Sequence, residues 1–174
     1  MTRWVIESTP EDWRVARLAA LAIGLAVLES GIPSPLPGVK PGLANIVVLL
    51  VMVQDGWRLA LWVSLLRIIG ASLFLGSFMT PGFFLSLSGG LCSLLMLVLV
   101  SRLSPRWFGL VSWSVLASLA HMAGQLLVVF IGFIPSAGVL QLVPLLAGAA
   151  LFFGIFNGWI ANRLLLAWEK SARV

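Results

Sequence analysis

The sequence predicts an all-α polytopic membrane protein, a bundle of six transmembrane helices, on three observations. First, 60% of its 174 residues are hydrophobic and 10% charged, with a mean hydropathy of +1.09, outside the range of water-soluble domains. Second, the apolar residues fall in runs, several of which reach the roughly twenty residues that cross about 30 Å of hydrocarbon. Third, those runs are separated by Pro, Gly and charged clusters, which interrupt helices. Residues 1–174 therefore read as a single integral membrane domain.

The first helix is signalled by Ser8-Thr9-Pro10-Glu11-Asp12: Thr9 suits the N-cap, Pro10 the first turn, and the acids face the positive end of the helix dipole. It continues as a first span over about 15–31, with small residues at Ala16/Ala20 and Ala22/Ala26 that permit close helix approach in lipid. No small-residue cleavage site follows, so the run reads as a retained span rather than a signal peptide. Glu29 to Asn45 then holds four prolines and Gly31, Gly38 and Gly42, and must be a shaped loop. Its Pro35, Pro37, Gly38 and Gly42 are the candidate lid. The second span, 42–54, is short for a bilayer and borrows length from this loop. Spans three to six follow at 57–76, 82–100, 107–133 and 139–168, separated by Gln54-Asp55-Gly56, Thr80-Pro81-Gly82, a basic turn at 101–106 and Pro135 to Gly138. Gly89-Gly90 reads as a flexible pair within span four.

Eleven Lys+Arg stand against six Asp+Glu, but they sit at the ends of apolar runs and form no continuous patch. That distribution speaks of topology and argues against a nucleic-acid partner. Arg3, Arg14, Arg17, Arg58, Arg102, Arg106, Arg163, Lys170 and Arg173 fall on one side of a six-span chain, and Lys40 alone on the other. The excess of positive charge makes both termini cytoplasmic. Trp13, Trp57, Trp107 and Trp168 fall at the same inner boundaries, where indole rings favour the headgroup level.

Several polar side chains lie inside these spans, where an ionisable group costs roughly 2.5–3.5 kcal/mol and marks a cavity or partner. Arg67 lies ten residues past Trp57, about 15 Å deep at 1.5 Å per residue. Ser114, Ser118, His121 and Gln125 follow helical spacing and predict a stripe that faces inward. Asn157 reaches a similar depth on span six. The functional reading gathers Glu29, Lys40, Asn45, Arg67, Ser118, His121, Gln125 and Asn157 into a pocket roofed by the loop, suited to a small ligand with anionic and hydrogen-bonding groups. In the structural alternative, Arg67 bonds backbone carbonyls or Gln125, and His121 is an interhelical strut. Gly154-x-x-x-Gly158 reads as a packing notch.

Catalysis finds less support. Prenyl-diphosphate chemistry needs clustered carboxylates holding Mg²⁺, but the only aspartates are Asp12 and Asp55. There is no G-x-x-x-x-G-K-[ST] phosphate loop. One histidine and one cysteine, Cys92, exclude a His-rich or Cys-based metal site and a disulfide. No cofactor and no metal are expected.

Three stretches carry a family resemblance: P-L-P-G-V-K-P-G-L-A-N (Pro35–Asn45), R-I-I-G-A-S-L-F-L-G-S-F-M-T-P-G-F-F-L-S-L-S-G-G (Arg67–Gly90) and A-H-M-A-G-Q-L-L-V (Ala120–Val128). Together they resemble the bacterial membrane family labelled heptaprenyl diphosphate synthase component I, also called the Gx transporter family. Pro41 and Met122 depart from its pattern. The family is in turn similar to the substrate-binding S components of energy-coupling-factor (ECF) vitamin transporters. That likeness implies a bacterial inner-membrane protein whose Ala16, Ala20, Ala22 and Ala26 dock a transmembrane coupling protein driven by ATPase subunits, with the 35–45 loop as lid over a vitamin-sized ligand. The alternatives it leaves open are a non-catalytic membrane component of polyprenyl diphosphate or quinone synthesis, and an accessory subunit of a flavin or redox membrane complex.

Overall fold

A computed structural model describes residues 8–32, 41–103 and 108–171. The lid positions Pro35, Pro37 and Gly38, with Arg3, Lys40, Arg106, Trp107 and Arg173, lie outside the described residues. Among those described there is no strand, and the α-helices are α1 (Pro10–Ser30), α2 (Leu43–Gln54), α3 (Trp57–Phe74), α4 (Pro81–Val100), α5 (Leu110–Val128) and α6 (Val143–Ser171). A π-helical turn, Val129–Phe133, extends α5, and a 3₁₀ segment, Ala137–Leu142, leads into α6. Helix α3 ends at Phe74, two residues short of the expected 76; α5 is α-helical only to Val128, and α6 runs on to Ser171.

Four helical stretches are long and apolar enough to cross a membrane: Trp57–Phe74, Pro81–Val100, Leu110–Phe133 and Gly138–Ser171. The six-span expectation exceeds that number for two reasons. Helix α1 opens on Glu11, Asp12, Arg14 and Arg17, and α2 has only 12 residues, a rise of about 18 Å. The outer surface carries large apolar side chains such as Phe74, Leu28 and Ile131, a face matched to lipid chains.

The short α2 is the centre of the bundle. Seven of its 12 residues are buried, against four of the 29 in α6. It packs on α1, α3 and α6, while α1 also lies against α3 and α5 is clasped between α4 and α6. Glycines set the α5–α6 approach: a Cβ on Gly154 would meet the Val115 backbone at 2.9 Å, and one on Gly158 the Val111 backbone at 2.7 Å. These are the packing notch read from the sequence. At one end of the bundle, Arg14 Nη2 lies 2.8 Å from Asp55 Oδ1 and ties the start of α1 to the α2–α3 turn. Half of Arg14 is exposed, so this tie contributes at most about 1 kcal/mol.

The N-terminus of α1 carries a full capping box. Thr9 N–H donates to Asp12 Oδ2 at 2.8 Å, and Asp12 N–H donates back to Thr9 Oγ1 at 3.2 Å. The backbone and hydroxyl of Thr9 hold the Asp12 carboxyl below its ordinary value of 3.8. Because the folded pKa is depressed, the cap's contribution is complete above the ordinary carboxylate range and is lost as pH falls through the lowered value. Amide exchange of the first turn is expected to quicken across that acid window in the native protein; in Asp12→Ala it should be fast at neutral pH already.

Candidate functional site

Helix α2 begins inside the bundle, not at its rim. Asn45 lies ten residues before Asp55 and Arg67 ten after Trp57, so both stand about 15 Å from that end. Asn157 of α6 reaches the same level and touches the chain just where α2 starts: its Nδ2 donates to Pro41 O at 2.7 Å, with Gly42 O at 3.5 Å. Gly42 is the N-cap with φ +79°, a left-handed conformation that glycine adopts without penalty. The space there is also tight, since a Cβ would meet Asn157 Nδ2 at 3.2 Å and Asn45 Nδ2 at 3.3 Å.

Two charged side chains are buried at this point. Glu29, at the end of α1, is 5% exposed and accepts a hydrogen bond from Gly42 N–H. Arg67 is 8% exposed, and its Nη1 donates to Asn45 Oδ1 at 2.7 Å, while its Nε has no partner among the described residues. Asn157 Oδ1 is buried and unpartnered as well. Glu29 and Arg67 both reach the start of α2, through Gly42 and Asn45, yet the described residues show no ion pair between them. Unmade hydrogen bonds on buried groups are costly, so Arg67 and Asn157 mark a site with polar capacity to spare.

The remaining sequence candidates divide. His121 rests on α4, where a Gly89 Cβ would lie 2.6 Å from its Nε2; the neighbouring Gly90 would place one 3.8 Å from Arg67 Nη2. Gly89 thus faces α5 and His121, while Gly90 faces α3, where Ile68 Cδ1 is nearest at 2.7 Å. The Gly89-Gly90 pair is buried and lets α4 lie close to the His121 ring on one side and to Ile68 on the other. Ser118 and Ser114 turn toward α6, beside Gly154 and Gly158. The predicted stripe thus divides: Ser114 and Ser118 face α6 and a small cavity shared with Asn45 and Asn157, while His121 faces α4. Gln125 is half-buried and enters none of the side-chain hydrogen bonds among the described residues. The partner of Arg67 is Asn45, not Gln125 or a backbone carbonyl.

Sequence reasoning missed Ser93. With Asn45, Ser114, Ser118 and Asn157 it lines a cavity of about 20 Å³ beneath the start of α2, large enough for about one water molecule. A lone serine in an apolar run gives no signal of its direction. A separate apolar groove of about 440 Å³ opens on the surface between α4 and the end of α5, lined by Phe84, Leu87, Leu91, Val128 and Phe133 among others.

The docking stripe needs a correction. Ala16 and Ala20 are exposed and Ala26 is half-buried, but Ala22 is completely buried because it lies on the side of α1 packed into the core. Gly24, which a Cβ would leave without a neighbour within 4 Å, continues the outward line of Ala16 and Ala20.

No curated protein and no solved structure matches the chain. The family described as heptaprenyl diphosphate synthase component I matches residues 18–164, a stretch that includes α2 through α5 and every described polar residue of the site. On that match, the chain belongs to the heptaprenyl diphosphate synthase component I family.

Proposed function

We propose that this chain is a non-catalytic membrane subunit of polyprenyl diphosphate synthesis, working beside a separate catalytic component. The family match over residues 18–164 carries the reading. Its non-catalytic character is supported by the fate of the two aspartates: Asp12 closes the α1 cap and Asp55 pairs with Arg14. The carboxylates that hold Mg²⁺ against a diphosphate would then come from the partner. The basic turns and charged ends lie toward the cytoplasm, with both termini inside, where a soluble synthase subunit meets them. Affinity purification from native membranes is expected to bring down a prenyl synthase subunit, and deletion of the gene to shorten the polyprenyl products. Unchanged product lengths together with no synthase in the eluate would sink the reading.

A second reading, a small-molecule binding subunit of ECF type, is favoured by one observation. Helix α2 starts at mid-bundle, and Arg67, Asn45, Asn157 and Glu29 surround that start. Interrupted helices with polar groups at the break are a recurring way to hold solutes in membranes. In this reading Ala16, Ala20 and Ala26 face a coupling protein, and the same purification yields ATPase subunits and a retained small molecule in place of a synthase.

A further inference from the structure

We propose that the N-terminus of α2 is an oxyanion site, and that Glu29 occupies it as the protein's own stand-in for a ligand's phosphate or carboxylate. A helix start leaves backbone N–H groups without intrahelical acceptors and carries partial positive charge, which makes it a natural anion receptor. At the surface water satisfies such groups. Here the start of α2 is enclosed by Asn157, Asn45 and Glu29, and Gly42 N–H is met by the Glu29 carboxylate.

Two further observations point to a ligand. Arg67 is 8% exposed, fixed by one nitrogen to Asn45 in the first turn of α2, and has an Nε with nothing to donate to. Asn157, 4% exposed, is anchored on Pro41 O and Gly42 O while its Oδ1 accepts nothing. A spare cationic donor and a spare acceptor on either side of a helix start complement a group that is anionic yet can donate a proton, as a phosphate does. The only acidic side chain of the described site is Glu29, and it is engaged with Gly42 N–H. A second anion brought beside Arg67 meets Glu29 as a like charge at close range, so ligand and Glu29 compete for the same N–H groups.

The inference rests on the polar site shared by both readings of function and not on the choice between them. Synthase co-purification can fail while the site binds anions, and the reverse.

Detergent-purified full chain is titrated with sodium pyrophosphate, phosphate and succinate, following thermal stability at constant ionic strength. Glu29→Gln keeps an acceptor for Gly42 N–H but removes the competing charge. It is expected to respond to pyrophosphate at a concentration at least about tenfold lower than the native protein; Arg67→Gln should not respond at all. A stronger response to succinate than to pyrophosphate assigns the site to carboxylates, and the reverse to phosphates. Equal midpoints for native protein and Glu29→Gln, or no response from either, overturn the proposal. Should Glu29→Gln not fold, the Gly42 amide resonance of ¹⁵N-glycine-labelled native protein reads the same exchange: it shifts with pyrophosphate if Glu29 is displaced, and a stationary peak overturns it.

Discussion

Arg67→Leu is expected to destabilise the bundle by about 3 kcal/mol, the low end of the range for leaving a buried charge uncompensated. Two effects oppose each other. Leucine relieves the cost of keeping a guanidinium at bilayer depth, roughly 2.5–3.5 kcal/mol. It also leaves the Glu29 carboxylate as the one charge at the start of α2, and deprives Asn45 Oδ1 of its 2.7 Å hydrogen bond. The second effect wins because Glu29 is 5% exposed and so shielded from bulk solvent. The double variant Arg67→Leu/Glu29→Gln should recover more than half of the loss. Unfolding in mixed SDS micelles measures both, and equal stabilities for the single and double variants would show that the two charges are not coupled.

The second large effect lies at the α5–α6 contact. Gly158→Ala places a Cβ 2.7 Å from Val111 Cα and 2.9 Å from Ser114 Cβ. Backbone cannot step aside as a side chain can, so the two helices must part, at about 1–3 kcal/mol. That outweighs the gain of up to about 1 kcal/mol from replacing a helical glycine. Gly24→Ala is the matched control: nothing lies within 4 Å of its Cβ, and the expected change is neutral or stabilising. Gly89→Ala falls between them, because its Cβ meets only the His121 ring, which can swing away. If the same unfolding assay ranks Gly24→Ala as low as Gly158→Ala, glycine's role here is helix flexibility and not close packing.

Much of the site was legible as depth. Counting residues from Trp57 and Trp168 puts Arg67 and Asn157 at one level, and in the structure both hold the start of α2, through Asn45 and through Pro41 and Gly42. Direction was less legible. Ser114 and Ser118 share a periodic stripe with His121 and Gln125, but the serines turn to α6 and the histidine to α4. The bond from Asn157 to Pro41 spans most of the chain, and no local pattern announces it. Ala22 shows the same gap: it belongs with Ala26 as a small pair in sequence, yet it is buried where Ala20 is exposed.

The amino-acid order alone determined a strongly apolar, all-helical chain with a capped first helix, since prolines, glycines and caps act locally. Which side of each helix faces its neighbours was decided only by the tertiary structure. In lipid an outward leucine and a core leucine have the same character, so hydrophobic periodicity carries little information about direction. Close approach at glycines and the few hydrogen bonds around the start of α2 settle it instead, and both depend on helices distant in sequence.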